Sequence, residues 1–434
     1  MLTKKDSLEY LKSKKDFEFD INYSDPPYAL GSEVIIREDG KVDYKKANDF
    51  MNKWEMPTGE YWEQWFKEAF RTLKYGGYLI MFGMDRQLLL FKYYARLAGF
   101  EEQQSLYWYF ISNFPKATDL SNMIAKRDGA KRDGAGSQGN TFPIKNTYQE
   151  YTKTDLAKKY EGYKYSISPL KQTNETIMVF KKPYKTGSCL HDTIAYENGD
   201  NECRCGAFNI DGNRVETSDN LFRQPCENGS IYSMTEKKIN TGTMSDAYLE
   251  GRYPSQTFCD SNTAEVLGES SKILHTCDFE NKEHDLYFYQ PKVSKKERNA
   301  GCDGFEEKPH NDRKENGKSI VEVSNKMMKN NHPTLKPIKL NERILRLFKT
   351  PNEDKIVYPF AGSGSEIIGG IKAGFKNWCG CEINQEYVDI AKARIEYWKD
   401  KTIDEVKNSK VEEIEEVSKD QANIFDFIDE KENK

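Results

Sequence analysis

The stretch KIVYPFAGSGSEIIGGIKAG, residues 355–374, decides the fold, because an apolar run leads directly into a glycine-containing turn and then into a helical pattern. Gly362 and Gly364 allow close backbone approach, and the first amides of a helix can donate to a polar ligand. Glu382 follows the next predicted strand, NWCGCEI, where a carboxylate can accept hydrogen bonds from two ribose hydroxyls. Alone, the turn fits either a packing turn or a dinucleotide site. Turn, strand and acid together predict a site for a nucleoside-containing cofactor.

A second turn after a predicted strand lies near the start of the chain, where the strand FEFDINYS runs into YSDPPY, residues 23–28. Proline has no amide donor and fixes its own φ, so two prolines in a row cannot extend a central strand. Asp25 and Tyr28 are held at the two ends of this rigid corner. Because Pro26 cannot donate and Pro27 is rigid, hydrogen-bond acceptors dominate the corner.

The first 183 residues alternate between predicted strands and helices. This alternation predicts an α/β fold with a mostly parallel, doubly wound sheet, in which Trp62 and Trp65 are core residues of their helix. Strands that pair need not be neighbours in sequence, so residues 330–398, where regular patterns return, are expected to complete the sheet. The predicted elements of the first part are helices at 59–73 and 86–99 and strands at 17–24, 76–83, 105–111 and 175–183.

Composition and charge exclude several classes of protein. The chain has 434 residues and a net charge of −5, and residues 401–434 hold 11 acids and 6 bases, so the rest is neutral by this count and can carry a basic face. No apolar run is long enough for a membrane span and no signal peptide is recognised, so a cytoplasmic protein is expected. The nine cysteines are expected to be free thiols. No metal is predicted, because one cluster fits no common zinc spacing: Cys189, His191, Cys203 and Cys205.

DPPY and PFAGSG together resemble the amino-methyltransferases of DNA, which use S-adenosylmethionine and release S-adenosylhomocysteine. The target-amine motif comes first and the cofactor motif last, as in the permuted beta group, and other segments resemble its prophage and restriction-modification branch, which implies a bacterial or phage-encoded protein. The resemblance covers nearly all of residues 1–398 and leaves the tail and parts of 215–250 unexplained. The further matching segments are NFPKATDLSNMIAKRDGA, SPLKQTNETIMVFKKP, FNIDGNRV, GRYPSQTF, NHPTLKPIKLNERILRLF and GCEINQEYVDIAKARI.

The resemblance implies a Rossmann-like S-adenosylmethionine methyltransferase fold with a circularly permuted motif order and an irregular target-recognition insertion. Residues 1–183 would form the catalytic half that carries DPPY, and residues 291–400 the cofactor-binding half that carries PFAGSG. Residues 184–290, where short apolar pieces alternate with polar stretches, would form the target-recognition region. Residues 401–434 would form an acidic C-terminal tail.

In this family the first motif holds a target amine whose lone pair is delocalised into its ring. Asp25 can accept one N–H of the amine and the Pro26 carbonyl the other, which localises the lone pair toward the sulfonium methyl. Pro27 keeps the corner rigid, and Tyr28 can stack on a base swung out of the double helix. The resemblance thus assigns catalysis to Asp25, Pro26, Pro27 and Tyr28, without a covalent intermediate or a metal.

The resemblance assigns cofactor binding to residues from both halves of the chain. His332, Thr334 and Lys336 would lie beside the methionine end of the cofactor, and Asp6 matches an N-terminal acid of the family, although Lys5 replaces the usual glycine. The implied cofactor-binding residues are Asp6, Asp25, His332, Thr334, Lys336, Phe360, Ala361, Gly362, Ser363, Gly364 and Glu382.

Two residues beside the turn depart from the family pattern. Tyr358 stands where an acid is usual and Ser365 where threonine is usual, so cofactor binding would weaken unless Asp25 and Asp6 supply the charge. The acid-led DPPY favours adenine N6 as the target, with cytosine N4 as the alternative, since members acting on cytosine more often carry serine there. A catalytically inactive DNA-binding homologue is a further hypothesis. A nicotinamide-binding oxidoreductase is disfavoured, because it leaves DPPY and HPT-x-KP unexplained.

Double-stranded DNA is the partner that the resemblance implies. A homodimer and a cognate restriction endonuclease are further hypotheses for partners, and no membrane association is expected. The basic, glycine-rich loop at 124–140 is either a solvated connector or a phosphate contact, and the basic run at 292–301 poses the same choice. Lys116 is either a surface lysine or a residue near the site or the DNA.

Overall fold

The computed structural model describes residues 1–28, 33–45, 57–110, 117–129, 153–166, 169–215, 251–259, 261–268, 275–276, 293–309, 314–315, 318–319 and 327–408. Several predictions concern residues outside these ranges. They are Lys116, most of the basic loop at 124–140, residues 216–250, 260, 269–274 and 277–290 of the predicted target-recognition region, residue 292 of the basic run, and residues 409–434 of the acidic tail.

Strands from both ends of the chain form one large sheet. The strands of the described residues are β1 (Leu2–Lys4), β2 (Phe19–Ser24), β3 (Val34–Ile36), β4 (Val42–Tyr44), β5 (Leu73–Gly83), β6 (Glu101–Glu102), β7 (Leu106–Tyr109), β8 (Thr118–Asp119), β9 (Lys164–Tyr165), β10 (Asn174–Lys181), β11 (Thr257–Cys259), β12 (His275–Thr276), β13 (Lys308–Pro309), β14 (Lys314–Glu315), β15 (Lys318–Ser319), β16 (Met327–Met328), β17 (Lys355–Tyr358) and β18 (Asn377–Glu382). The large sheet has the order β1-β18-β17-β2-β5-β10-β7-β11-β12, and β6 pairs with β10. The remaining strands form short two-stranded ribbons.

Helices connect and cover these strands. They are α1 (Ser7–Lys12), α2 (Gly59–Thr72), α3 (Leu88–Ala98), α4 (Leu120–Arg127), α5 (Asp155–Lys159), α6 (Cys189–Glu197), α7 (Ser261–Leu267), α8 (Lys295–Asn299), α9 (Ile338–Phe348), α10 (Ser365–Lys372), α11 (Gln385–Trp398) and α12 (Ile403–Asn408). Of the helices in the described ranges, none combines the length and the apolar character that a membrane crossing requires.

The sheet is mostly parallel, as predicted. β1, β18, β17, β2 and β5 run in one direction, so they end at a common edge, which we call the carboxyl edge. β10 is antiparallel to β5 and to β7, so β10 begins at the carboxyl edge and β7 ends there. The pairing of β17 with β2 confirms that residues 330–398 complete the sheet begun near the N-terminus.

Helices cover both faces of the sheet, which confirms the doubly wound arrangement. Along β5, Tyr78 and Ile80 face a core cluster that includes α9 and α10, whereas Leu79 faces a second cluster with α2 and α3. Trp62 and Trp65 are fully buried in the second cluster, as expected for core residues. β2 is buried along its whole length because neighbours cover both of its sides and helices cover both of its faces.

Helices α9 and α10 approach each other and β17 closely. A Cβ on Gly369 would lie inside van der Waals contact of Asn341 in α9, and a Cβ on Gly370 would overlap the hydroxyl of Tyr358. Tyr358 is fully buried, and its ring contacts that of Tyr23 edge to face at 6.1 Å between centroids. Glycine at two successive positions of α10 therefore makes room for the side chains beneath it.

Residues 184–215 pack at the amino-terminal edge of the sheet, opposite the carboxyl edge. Arg204 is 2% exposed and donates to the Asp20 carbonyl at the start of β2, at 3.2 Å. Its guanidinium also pairs with Asp354, just before β17, at 3.2 Å. This described part of the predicted target-recognition region thus lies away from the ends of the parallel strands, and target recognition by residues 184–290 stays a prediction.

Candidate active site

The carboxyl edge collects predicted site residues from both ends of the chain. Asp25 directly follows β2, Gly362 lies in the turn after β17, and Glu382 ends β18. Asp6 follows β1, and Glu175 lies at the start of the antiparallel β10. Parallel strand ends that meet at one edge are the usual ligand position in open α/β sheets.

The turn after β17 is built on two glycines with left-handed backbone, φ +48° at Gly362 and +84° at Gly364. A Cβ on Gly362 would lie 3.0 Å from Nε2 of His332, and a Cβ on Gly364 would lie 3.1 Å from the Cβ of Ala391. L residues rarely adopt this backbone, so both positions favour glycine. The sequence predicted close approach to a ligand, and the structure adds close approach to the protein's own side chains.

Arg394 of α11 supports this turn, and the sequence analysis did not identify it. Its buried guanidinium donates to the Ser363 carbonyl at 2.7 Å, to the Ser363 hydroxyl at 3.1 Å and to the Ser365 hydroxyl at 3.0 Å. The side-chain amide of Asn330 donates to the Ser363 hydroxyl at 3.1 Å. Ser365, the second departure from the family pattern, is therefore a supporting residue of the turn.

Phe360 and Ala361 join the turn to the core. The Phe360 ring packs against Trp65 and Trp62, with centroids 5.6 and 6.1 Å apart. The amide of the buried Ala361 donates to the Cys381 carbonyl at 3.0 Å, which ties the turn to β18.

Glu382 closes the turn from the neighbouring strand. Its Oε2 accepts from the Gly362 amide at 3.0 Å and its Oε1 from the Asn384 amide at 2.9 Å. Burial raises the pKa of Glu382, while these amide hydrogen bonds oppose the shift. A carboxylate has about four acceptor positions, so this group can still accept from a diol. The Lys5 amide donates to the Glu382 carbonyl at 3.1 Å and brings the end of β1 alongside.

Asp6 caps α1 at this same corner. Its Oδ1 accepts from the amides of Leu8 and Glu9 at 3.0 and 3.1 Å, and its Oδ2 accepts from the Tyr61 hydroxyl at 3.1 Å. The capping bonds explain the acid without a ligand. A cofactor contact by Asp6 stays a prediction.

His332 and Thr334 form a neutral hydrogen-bonded pair above the turn. Nδ1 of His332 lies 2.7 Å from the Thr334 carbonyl, which can only accept, so Nδ1 carries the proton and Nε2 faces Gly362 as an acceptor. Burial, with a further contribution from Arg298, lowers the pKa of His332 to about 3. The imidazole is therefore uncharged at neutral pH.

Lys336 joins the two predicted halves of the site. Its Nζ lies 2.6 Å from Oδ2 of Asp25 and 3.5 Å from Oε2 of Glu175, and all three side chains are less than 10% exposed. Burial disfavours the ammonium, but Asp25 and Glu175 outweigh it and raise the pKa of Lys336. Burial raises the pKa of Asp25, and Lys336 opposes that shift. The sequence analysis missed Glu175, although an acid at the start of a buried strand was a usable signal.

The proline corner keeps one carbonyl without a donor. Gln87 is buried and its side-chain amide donates to the Pro27 carbonyl at 3.3 Å, which steadies the corner. Within the described ranges, no group donates to the Pro26 carbonyl. The Tyr28 hydroxyl donates to Glu175 at 3.4 Å, and the Lys336 ammonium lies 5.1 Å from the Tyr28 ring centroid. Burial and the neighbouring carboxyls raise the pKa of Tyr28.

Glu366, in the first turn of α10, is a second acid that the sequence analysis missed. It is 6% exposed, and burial together with Asp25 raises its pKa to about 8. Burial and Glu366 also raise the pKa of Tyr358, so these two side chains influence each other. An acid inside the otherwise apolar run SEIIGG was the signal for this residue.

The cysteines of the cluster named above are unbridged in the structure. Cys189 and Cys205 are half-buried and Cys203 is buried, all as free thiols. No group of three or more His, Cys, Asp or Glu side chains suited to a metal occurs in the part of the chain that the structure describes.

The fold and this edge define a Rossmann-like α/β protein of the methyltransferase type, with a proline corner and a glycine turn on neighbouring strands. The chain belongs to the DNA methylase family N6_N4_Mtase, whose pattern matches residues 19–393.

The individual proteins that resemble this chain do so over a short segment or at low sequence identity. The chain is 44% identical over 69 residues to the Type II methyltransferase M1.MboII of Moraxella bovis, a match that covers 16% of this chain and 26% of that protein. The crystal structure of an M1.HpyAVI–SAM complex is 14% identical, with 91% of this chain and 98% of that chain covered and a TM-score of 0.35. The PvuII DNA methyltransferase, titled cytosine-N4-specific, is 14% identical, with 94% and 93% covered and a TM-score of 0.42.

Proposed function

We propose that the protein transfers a methyl group from S-adenosylmethionine to the N6 amine of adenine in double-stranded DNA. The observation that carries the proposal is the position of Asp25: it follows the central strand in a DPPY corner, beside the glycine turn of the next strand. Family membership supports DNA as the substrate. The acid at the head of DPPY favours adenine over cytosine.

The residues present fit the cofactor. Glu382 offers carboxylate acceptors for the ribose hydroxyls, and its hydrogen bond to Gly362 holds it against the turn. Asp25 and Glu175 provide negative charge for a cation, while Nε2 of His332 offers a neutral acceptor. When bound, S-adenosylmethionine supplies an electrophilic methyl on a positively charged sulfur.

Two acceptors are available for the target amine. Lys336 pairs with Oδ2 of Asp25, and we assign Oδ1 to one N–H of the amine. The Pro26 carbonyl, for which the described residues supply no donor, can take the second N–H. Acceptors in fixed positions draw the nitrogen toward tetrahedral geometry and expose its lone pair. The amine loses one proton after transfer, and we assign Asp25, whose Oδ2 pairs with Lys336, as the acceptor of that proton.

Tyr28 completes the corner as a surface for the base. Its ring is half-buried and its hydroxyl is held by Glu175, so the ring orientation is fixed before a base arrives. Aromatic stacking on an extruded base is worth about 1–3 kcal/mol. A target adenine taken out of the duplex would thus meet a flat ring and two acceptors together.

The test is methyl transfer from labelled S-adenosylmethionine to unmethylated DNA, followed by mass spectrometry of the nucleosides. We expect N6-methyladenine, and loss of at least about a hundredfold in rate for Asp25→Ala. Asp39→Ala, which removes an exposed acid paired with Arg37, is the matched control and should keep full activity.

Three outcomes would contradict the proposal. N4-methylcytosine as the product would establish the alternative target. No transfer by a protein that still binds the cofactor would indicate a catalytically inactive DNA-binding homologue. Full activity of Asp25→Ala would refute the role of the corner.

A further inference from the structure

Glu366 is a buried acid for which the described residues provide no hydrogen-bonded partner side chain. It is 6% exposed, and its only hydrogen bond within the described ranges is to its own backbone amide. A buried carboxyl without a partner is unfavourable when ionised. A ligand that brings a positive charge next to such a group favours its ionised form.

The surroundings of Glu366 hold more acids than available cations. Asp25 acts on its charge most strongly, followed by Lys336 and Arg394. Lys336 already pairs with Asp25 at 2.6 Å and with Glu175 at 3.5 Å. Arg394 is held by the serines of the turn. Asp25 and Glu175 therefore share one ammonium, and a cationic ligand would supply the positive charge that Glu366 lacks.

We propose that Glu366 is a cofactor-selecting residue, whose carboxylate favours the cationic sulfonium of S-adenosylmethionine over the neutral thioether of S-adenosylhomocysteine. The inference rests on the proposed function. Tyr358 stands where the family carries an acid, and Glu366 lies close enough to Tyr358 to influence it electrostatically. Loss of the methyl removes the sulfur's charge, so product is held less tightly than cofactor.

Cofactor uptake is coupled to release of a proton. Burial and Asp25 raise the pKa of Glu366 to about 8, so its carboxyl is mostly protonated at pH 7 in the free protein. A neighbouring cation favours the ionised form, so affinity for the sulfonium rises as pH increases through about 8. Of the other groups that face Glu366, Lys336 stays charged because its pKa is raised, and Tyr358 stays neutral for the same reason. His332 on the adjoining segment stays neutral because its pKa is about 3.

The experiment measures dissociation constants of S-adenosylmethionine and S-adenosylhomocysteine from pH 6.5 to 9 by calorimetry, without DNA. The sulfonium lowers the pKa of the amino group of S-adenosylmethionine relative to that of S-adenosylhomocysteine, so each free ligand is titrated separately and both dissociation constants are corrected for it. We expect the preference for S-adenosylmethionine to rise about tenfold between pH 7 and pH 9, because the ionised fraction of a group with pKa about 8 rises about tenfold. Glu366→Gln should flatten this ratio. Glu202→Gln, which removes an exposed acid paired with Lys185 away from the carboxyl edge, should leave it intact.

The outcomes separate this inference from the proposed function. A ratio independent of pH in the unmodified protein, or a pH-dependent ratio that survives Glu366→Gln, would overturn it. If neither molecule binds the unmodified protein, the proposed function fails instead. Should Glu366→Gln fold poorly, proton release is measured on the unmodified protein in buffers of different ionisation enthalpy. We then expect about 0.9 more proton released at pH 7 by S-adenosylmethionine than by S-adenosylhomocysteine, and equal release would refute the coupling.

Discussion

Replacing Tyr358 by phenylalanine should stabilise the protein, although it removes a polar group from β17. The hydroxyl is fully buried, and no described residue forms a hydrogen bond with it. An unpaired buried hydroxyl is unfavourable by about 1–3 kcal/mol. Its removal leaves a gap of one atom against Gly370, which offsets part of the gain. We expect a net increase of about 1–2 kcal/mol in the free energy of unfolding for Tyr358→Phe.

The control is a tyrosine-to-phenylalanine substitution at a neighbouring tyrosine whose buried hydroxyl does form a hydrogen bond. Tyr23 is also buried, but its hydroxyl donates to the buried Oδ1 of Asn341 at 2.7 Å. Tyr23→Phe should therefore destabilise by about 1–2 kcal/mol, because it orphans the acceptor. In thermal denaturation, the midpoint should lie a few degrees above that of the unmodified protein for Tyr358→Phe and a few degrees below it for Tyr23→Phe. A midpoint for Tyr358→Phe as low as that of Tyr23→Phe would show that the Tyr358 hydroxyl is bonded and refute the argument.

Three further perturbations test other parts of the structure. Gly370→Ala should lower the melting temperature because the added methyl overlaps the Tyr358 hydroxyl. Adding Tyr358→Phe to this variant should restore at least half of the loss. If the effects of the two substitutions on the melting temperature are simply additive, the contact is contradicted. Arg204→Met leaves Asp354 buried without its cation, so denaturant unfolding should show a loss of about 3–5 kcal/mol, and a loss below 1 kcal/mol would refute the pairing. The imidazole signals of His332 should not titrate between pH 5 and 8 by NMR, because its folded pKa is about 3. Since the unfolded chain binds this proton near pH 6.5, stability should fall as pH drops from about 6.5 toward 3, and less steeply in His332→Asn.

Local sequence patterns predicted the sheet and its two turns correctly. β2 ends at Ser24, directly before Asp25 and the two prolines, and the run KIVY forms β17 as an immediate neighbour of β2. These features depend on a few adjacent residues, which a single sequence displays directly. The direction of a strand is not visible in adjacent residues. Nothing in SLYWYFI or ETIMVFKKP distinguishes a parallel from an antiparallel neighbour, and in the structure β7 and β10 pair antiparallel to each other.

The partners of the site residues could not be predicted, because they lie far apart in the chain. Lys336 meets Asp25 across 311 residues. Arg394 belongs to the segment GCEINQEYVDIAKARI, which resembles the methyltransferase family, but only the folded structure shows that its guanidinium reaches Ser363. The glycines of the turn were expected to make room for a ligand, and the contact of Gly362 with His332 became visible only in three dimensions. The sequence could indicate candidate site residues, but not the contacts that hold them in place.

The interleaving of early and late strands has a consequence for synthesis in the cell. β2 lies between β5, made soon after it, and β17, made more than 300 residues later. At about 5–20 residues per second, one side of β2 waits roughly 15–65 s on the ribosome for its partner. During that interval an apolar strand presents unpaired backbone groups, which other chains can pair with. Expression yield should therefore depend on chaperones and translation speed more than the finished protein's stability would indicate.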